Sequence, residues 1–241
     1  MKIFLAQLFL LALVISLAYC TGNSQARAAA PNADAAGKGV IVKEQYEWCN
    51  IWWDNANDRK SPRVLLIGDS ISVGYSARVT ELLAGKARVD RLGVSFGISD
   101  PALLKQTAFM LSEYKYAAIQ FNNGLHGGHI TDSEYESSLR NFAKSLKKLS
   151  GNAALIWASS TPVTMKDDPQ TFNSSQNSVV KKRNEIAAGV MSDLGIPIND
   201  LYGAVVDNPE LKSSDGCHFN SEGYNVLGSA VARALMNAIG Q

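Results

Sequence analysis

The feature that most constrains the fold of this chain is a regular alternation of short apolar runs with longer helical patterns. The short runs are rich in branched apolar residues and have the length of buried strands, and the longer stretches repeat with the period of a helix. The expected strands span residues 64–67, 87–92, 117–121, 153–158 and 196–198. The expected helices span residues 73–83, 101–114, 133–149, 179–194 and 222–239. This alternation predicts an α/β fold, a three-layer α/β/α sandwich around a central, mostly parallel five-stranded sheet.

The composition is that of one globular domain. The chain has 241 residues, of which 46% are hydrophobic and 19% are charged, and this length and apolar content suit a single domain with a well-buried core. Lys and Arg number 23 against 22 Asp and Glu, for a formal net charge of +1. Such a balance provides no basic surface for nucleic acid or for an anionic membrane. We therefore expect a small molecule or a neutral polymer as the partner.

The first part of the chain resembles a leader followed by a tether. Lys2 precedes an apolar run over residues 3–18 that is short for a membrane span, so we interpret residues 1–20 as a signal peptide, with cleavage as late as residues 28–30 as the alternative. Lipoprotein anchoring at Cys20 is the less favoured interpretation, because the preceding Tyr19 is bulky. Residues 21–39 have the composition of a flexible linker. We expect the folded domain over residues 40–241, in a secreted or periplasmic protein without stable membrane insertion after cleavage.

Two short motifs contain the groups of a nucleophilic hydrolase. Directly after the first expected strand, Gly68-Asp69-Ser70 brings a serine to the start of a helix, with backbone N–H groups beside its hydroxyl. Near the other end, Asp215 stands three residues before His218. A carboxylate at that spacing can reach one ring nitrogen and leave the other to take a proton from a serine. Each motif alone is also ordinary turn and cap chemistry, so only the two motifs together indicate a hydrolase.

Together the two motifs resemble those of the GDSL, or SGNH, hydrolases, and the resemblance extends from about residue 64 to the last helix. It implies a flavodoxin-like SGNH hydrolase fold. It also implies that Ser70 is the nucleophile, that His218 is the general base and that Asp215 orients the histidine. The name-giving leucine of the family is replaced here by Ile71, which changes no chemistry.

The resemblance also implies an oxyanion hole. Its donors would be the backbone N–H groups of Ser70 and Gly93 and the side-chain amide of Asn123. Where the family has Gly-x-Asn-Asp, this chain has Phe121 and Gly124 around two asparagines, so Asn122 is the alternative donor. No cofactor and no metal are implied.

The activity implied by the resemblance is hydrolysis of carboxylic esters through an acyl-enzyme. The family includes carbohydrate O-acetylesterases, lipases, arylesterases and thioesterases. A nearly neutral chain without a long hydrophobic insertion favours a small acyl group on a small-molecule or polysaccharide ester, so a carbohydrate O-acetylesterase is our leading expectation. An acyltransferase with the same residues and a non-catalytic carbohydrate-binding protein are the alternatives from other classes.

Two further patterns compete with this assignment. The stretch from Gly93 to Gly97 matches the G-x-S-x-G elbow of α/β-hydrolases, which would make Ser95 the nucleophile. Only one strand precedes it, and no separate acid loop precedes the histidine, so we do not favour it. His126 and His129 lie close together, but the two glycines between them are typical of a loop, and a zinc site needs three or four ligands. We expect no metal, and His126 is placed to contact substrate.

Three other features each allow two interpretations. Cys49 and Cys217 are either a disulfide pair or two buried thiols. The three tryptophans within residues 48–53 can stack on sugar rings, but large aromatics that lead into a core more often pack there. Asp200 is best interpreted as local turn or cap chemistry.

Overall fold

A computed structural model describes residues 41–240, so the predicted leader, the whole predicted linker and the lipoprotein site at Cys20 lie outside the described residues. In chain order the strands are β1 (Cys49–Trp52), β2 (Arg63–Gly68), β3 (Arg88–Val94), β4 (Ala118–Phe121), β5 (Ala154–Ala158), β6 (Thr164–Met165), β7 (Asp168–Phe172) and β8 (Ile198–Asn199). The helices are α1 (Ser70–Leu82), α2 (Pro101–Glu113), α3 (Asp132–Leu149), α4 (Ser174–Leu194), α5 (Leu201–Val205) and α6 (Ser221–Ala238), with a 3₁₀ turn at Pro209–Leu211.

The main sheet has the strand order β1-β3-β2-β4-β5-β8. Its last five members pair in parallel, as the alternation predicts. The sequence-based expectation of five strands is one too few, because β1 adds an antiparallel sixth strand to the open edge of β3. The side chains of β1 are mostly exposed, so it carries no apolar alternation by which the sequence could reveal it.

Helices cover both faces of the sheet. The core on one face is formed with α2, α3 and α4, and the core on the other with α1, α5 and α6. Along β2, Leu65 and Ile67 belong to the first core, whereas Val64 and Leu66 belong to the second. A strand that is buried on both faces reads as a continuous apolar run, which is why β2 was visible in the sequence.

Helix ends follow local capping chemistry. The side chains and backbones of Thr131 and Glu134 form a capping box at the start of α3. Asp200 caps α5, as predicted, and accepts hydrogen bonds from the Gly203 N–H at 3.0 Å and from the Ser159 hydroxyl at 2.8 Å. The helix α4 begins at Ser174, earlier than the predicted residue 179, because Asn173 caps it. The described part of the chain contains no helix that is both long and apolar enough to cross a membrane.

Candidate active site

Ser70 is placed by the junction of β2 and α1. Every residue of β2 is buried, and Asp69 then leaves the strand as the cap of α1, where its carboxylate accepts the Ile71 N–H at 2.9 Å. Ser70 is therefore the first residue of the helix, where backbone N–H groups have no acceptor within the helix. The positive end of the helix dipole adds to this local preference for negative charge.

The loop before α6 places Asp215 and His218. One oxygen of Asp215 accepts the N–H groups of Cys217 and His218, each at 2.8 Å, and the Ser213 hydroxyl at 2.9 Å. Gly216 between them has φ +79°, and a side chain there would meet the Thr164 carbonyl oxygen at 2.4 Å. Only glycine suits both the backbone conformation and the space, so this turn holds the carboxylate beneath the histidine ring.

A buried lysine also fixes the same loop. Lys212 is buried, and its ammonium group donates to the carbonyls of Pro162 and Cys217. The same nitrogen lies 3.8 Å from the centre of the Phe219 ring. The loop is thus tied at both ends, which limits the positions that the histidine ring can take.

The structure brings Ser70, Asp215 and His218 into one hydrogen-bonded chain. The other oxygen of Asp215 lies 2.7 Å from Nδ1 of His218, and Nε2 of His218 lies 2.8 Å from the Ser70 hydroxyl oxygen. With Nδ1 protonated and facing a carboxylate, Nε2 is the acceptor for the serine proton. This arrangement can activate a hydroxyl as a nucleophile.

The electrostatics of the pair suit that role. Burial alone would raise the pKa of Asp215, but the hydrogen bonds from His218 and from the backbone lower it well below its usual range. Burial would likewise lower the pKa of His218, but the hydrogen bond to Asp215 and the negative charges nearby together outweigh burial, and the pKa lies above its ordinary value. The carboxylate therefore stays ionised and stabilises the imidazolium that forms when His218 takes a proton.

Ser70 and His218 open on a cavity of about 300 Å³. Leu125, Val163, Val179 and Val180 make part of its wall apolar. Glu44, Trp48 and His126 make another part polar or aromatic. A cavity of this volume can hold a small ligand beside a reactive serine.

The comparisons with known proteins identify the fold. No family model and no curated protein matches the sequence, but solved structures do. A lipase/acylhydrolase from Enterococcus faecalis superposes with a TM-score of 0.61 at 19% identity, covering 73% of this chain and 96% of that one. A carbohydrate acetylesterase from Sinorhizobium meliloti gives 0.61 at 13% identity, with 73% and 99% covered. A GDSL-like lipase from Bacteroides thetaiotaomicron gives 0.54 at 17% identity, with 73% and 88% covered. The chain has the GDSL/SGNH hydrolase fold.

Within this SGNH fold, Ser70 lies at the topological switch point of the sheet. The strand β2 that delivers it pairs with β4, and the helices that follow these two strands, α1 and α3, lie on opposite faces of the sheet. Ligands of doubly wound sheets bind in the crevice at that point, beyond the carboxyl ends of the strands. The position of the predicted nucleophile is therefore the one at which the fold itself leaves a crevice.

The two asparagines after β4 have different partners. The amide nitrogen of Asn122 donates to the Ala158 carbonyl at 2.7 Å and to the Ser160 hydroxyl at 3.1 Å, which occupies both of its N–H groups. The amide nitrogen of Asn123 donates to the Phe96 carbonyl at 2.7 Å, the one bond it makes among the described residues. Asn123 thus retains a second N–H, although the side chain is buried and is not one of the residues that line the cavity.

Gly93 lies inside β3, whereas the sequence placed it after the strand. It faces Asn50 across the β1–β3 ladder, and the Ser95 N–H donates to the Trp48 carbonyl two residues along. Alternate pairs of an antiparallel ladder exchange hydrogen bonds, so the register directs the Gly93 N–H to Asn50. A side chain at Gly93 would meet a methyl group of Val73 at 2.4 Å, which accounts for the glycine by close packing of α1 on the sheet.

Arg183 on α4 is a residue of the site that sequence reasoning missed. It is 2% exposed, and its guanidinium donates to the carbonyls of Gly124, His126 and Gly127 at 3.0, 2.8 and 2.6 Å. It thereby holds the loop that follows β4 against the protein interior and leaves the Leu125 and His126 side chains on the cavity wall. In the sequence Arg183 follows Lys181 and Lys182, and such a run of charged residues is typical of a solvent-exposed surface. In the structure, however, Arg183 lies on the buried face of α4.

The competing motifs have other positions. Ser95 is buried, and its hydroxyl contacts the Glu47 carboxylate at 2.5 Å and accepts the Trp48 N–H at 2.8 Å. It therefore ties the segment before β1 to the end of β3. His129 is exposed and does not line the cavity, whereas His126 does.

The three tryptophans near the site have different surroundings. Trp53 packs against the core, Trp52 is exposed and Trp48 lines the cavity, so one of the three tryptophans packs in the core.

No disulfide joins Cys49 to Cys217 in the structure. Cys49 is exposed on the edge strand, whereas Cys217 lines the cavity.

Proposed function

We propose that this chain is a serine hydrolase of carboxylic esters. The observation that carries the proposal is the unbroken hydrogen-bonded chain from Asp215 through His218 to Ser70 at the wall of a ligand-sized cavity. The SGNH fold agrees with it, because the solved structures with this fold include a lipase/acylhydrolase and a carbohydrate acetylesterase.

The reaction consists of two acyl transfers. The Ser70 oxygen attacks the ester carbonyl carbon while its proton passes to Nε2 of His218. The tetrahedral intermediate then expels the alcohol, which takes that proton, and leaves an acyl-enzyme. Water repeats the sequence, with His218 again as base, and releases the carboxylic acid and Ser70. Asp215 keeps His218 in the correct tautomer and stabilises its positive charge in both transfers.

The oxyanion is assigned to the N–H group of Ser70 and to the side-chain amide of Asn123. The first is supported by the position of Ser70 at a helix N-terminus, and the second by the N–H that Asn123 retains. Gly93 belongs to the set expected from the sequence, but its N–H can contribute only by leaving the β1–β3 ladder. Asn122 remains the alternative amide.

The substrate we propose is a carbohydrate O-acetyl ester. The volume of the cavity suits a small acyl group, and its polar and aromatic wall suits an alcohol part rich in hydroxyl groups. One solved structure with this fold is a carbohydrate acetylesterase. Lipid, aryl and thioester substrates use the same chemistry and differ in the group that the cavity must hold.

The decisive experiment compares the Ser70→Ala and Ser95→Ala variants on 4-nitrophenyl acetate and on acetylated xylan. We expect Ser70→Ala to lower kcat by at least about 10⁴-fold and to abolish labelling by a fluorophosphonate probe. Ser95→Ala should keep the labelling and the kcat on 4-nitrophenyl acetate, since Ser95 bonds to Glu47 and Trp48 and not to His218. An active Ser70→Ala protein would overturn the proposal.

Product analysis separates the alternatives from other classes. Transfer of the acetyl group to an added alcohol in preference to water would indicate an acyltransferase. Binding of sugar by a chain that neither hydrolyses esters nor reacts with the probe would indicate a carbohydrate-binding protein.

A further inference from the structure

The cavity at Ser70 is lined by both apolar and polar side chains. The apolar part comes from Leu125 on the loop after β4 and from valines before and within α4. Polar and aromatic side chains also line it, among them Glu44 and Trp48, which precede β1, and His126, in addition to polar residues of α4. An ester has an acyl half and an alcohol half, so a cavity with both kinds of lining beside the nucleophile offers apolar contacts for the first and hydrogen bonds for the second.

Glu44 and Trp48 belong to a segment, residues 43–48, that is fixed at both ends to residues between β3 and α2. The Lys43 ammonium pairs with the Asp100 carboxylate, which caps α2. At the other end, the Trp48 N–H and the Glu47 carboxylate both bind the Ser95 hydroxyl. The segment therefore presents Glu44 and Trp48 as a preformed surface.

The side chains of Glu44 and His126 contact each other at the cavity. Their side chains are 27% and 13% exposed, and Oε1 of Glu44 lies 2.8 Å from Nδ1 of His126. The backbone of His126 is held as well, since Arg183 binds its carbonyl. Both members of the pair are thus oriented before any ligand arrives.

The second oxygen of Glu44 is incompletely satisfied. Among the described residues, Oε2 is buried and has no hydrogen-bond partner. A buried carboxylate oxygen without a donor is unfavourable, and rotation about the last side-chain torsion of glutamate is soft. A small rotation would let a hydroxyl group in the cavity donate to this carboxylate.

We infer that the Glu44–His126 pair, together with Trp48, is a subsite for a hydroxyl-rich alcohol such as a sugar ring. The carboxylate accepts hydrogen bonds from sugar hydroxyls, His126 holds the carboxylate in place, and the indole face covers the apolar side of the ring. The acyl group then contacts the apolar residues that line the cavity. This inference depends on the proposed function for its assignment of the alcohol half, but the binding of a sugar alone tests it independently.

The first test measures specificity. For the wild type and the Glu44→Gln and His126→Gln variants, kcat/KM is determined on 4-nitrophenyl acetate, which has no hydroxyl, and on a mono-O-acetylated methyl xyloside. We expect the ratio of the sugar ester to the aryl ester to fall at least about tenfold in both variants, the effect of losing a hydrogen bond to a charged group. An unchanged ratio would overturn the inference, whether activity on both esters falls equally or not at all.

Two control variants separate recognition from loss of structure. His129→Gln removes the exposed histidine of the same loop, which does not line the cavity, and should leave the ratio unchanged. Glu47→Gln weakens the attachment of the segment to Ser95 without altering a cavity side chain. If Glu47→Gln lowers the ratio as much as Glu44→Gln does, segment position and not Glu44 sets the specificity, and the inference is overturned.

The second test keeps the subsite distinct from the chemistry. Calorimetry measures the binding of unacetylated methyl xyloside to the Ser70→Ala protein and to the Ser70→Ala/Glu44→Gln double variant. Binding that weakens at least tenfold in the double variant supports the subsite even if the chain hydrolyses no ester. Absence of binding to the Ser70→Ala protein overturns the subsite even if aryl esters are hydrolysed by Ser70.

Discussion

At the scale of single residues, the site depends on two groups whose surroundings move their pKa values in opposite directions. Asp215 accepts two backbone N–H groups and a hydroxyl on one oxygen and His218 on the other. These bonds keep it charged despite partial burial, and that charge favours the protonated form of His218. The histidine is thus a stronger base than an ordinary imidazole, and it becomes inactive when it is protonated before substrate arrives.

The pH dependence of the proposed reaction follows from this shift. His218 must be neutral to accept the Ser70 proton, and its pKa lies above the ordinary value of about 6.5. Activity is therefore full above the raised pKa and is lost as the pH falls through it. We expect the acid limb of kcat/KM on a neutral ester to have a midpoint above pH 6.5. The His126→Gln variant should keep this limb, and a midpoint at or below the ordinary histidine value in the wild type would contradict the assignment.

The oxyanion donor is also a question of single residues. Asn123→Ala should lower kcat about a hundredfold or more with little change in KM, because the donor acts mainly on the transition state. Asn122→Ala should affect stability more than kcat, since its two N–H groups bind Ala158 and Ser160. Steady-state kinetics and chemical denaturation of both variants distinguish them, and the reverse pattern would move the role to Asn122.

At the scale of elements, α4 controls a loop that belongs to a different part of the chain. Arg183 accounts for three carbonyls of residues 124–127, and the Tyr135 hydroxyl donates to the Asn123 carbonyl at 2.9 Å. These interactions turn a run of backbone acceptors toward the interior. The loop carrying Asn123 and His126 is consequently placed by α3 and α4 and not by its own sequence.

Loss of this support should be visible in both stability and catalysis. We expect Arg183→Met to lower the free energy of unfolding by about 3 kcal/mol, since buried carbonyls lose their donors. In the fraction that remains folded, kcat/KM should fall at least about tenfold as the loop shifts, and Arg183→Lys should restore part of it. Urea denaturation and ester kinetics measure the two effects. Lys182→Met, at an exposed neighbouring position paired with Glu185, should change neither appreciably. A folded Arg183→Met protein with full activity would show that the Arg183 contacts stabilise the fold but do not affect catalysis.

At the scale of the whole molecule, the sheet brings together residues that are far apart in the chain. Ser70 and His218 are 148 positions apart, yet they share a hydrogen bond of 2.8 Å. The opposite end of the sheet contains a different network, in which buried Arg63 and Asp90 pair at 2.7 Å and the Tyr116 hydroxyl bonds to Asp90 at 3.0 Å. The strand ends near Ser70 contribute to the cavity, whereas the opposite ends of the strands are joined by this network and its buried ion pair.

The parts of the fold that local chemistry determines were the parts that could be predicted. The strands β2 and β5 were visible because burial on both faces makes each of them a nearly continuous apolar run. The proximity of Ser70 to Asp215 and His218 followed once their motifs had been placed after a first strand and before a last helix. The edge strand β1 was not visible, because its exposed side chains carry no pattern and its partner edge on β3 exists only in the folded sheet.

The sequence by itself determined the α/β architecture and the identity of the three groups proposed for catalysis, since periodicity and motif spacing are local properties. The tertiary structure alone decided which groups surround them. Arg183 became the support of the β4 loop, and Glu44 with His126 became one wall of the cavity. Ser95 became an anchor for the segment before β1. These roles depend on contacts between distant segments, and a side chain in such a contact carries no mark in the sequence around it.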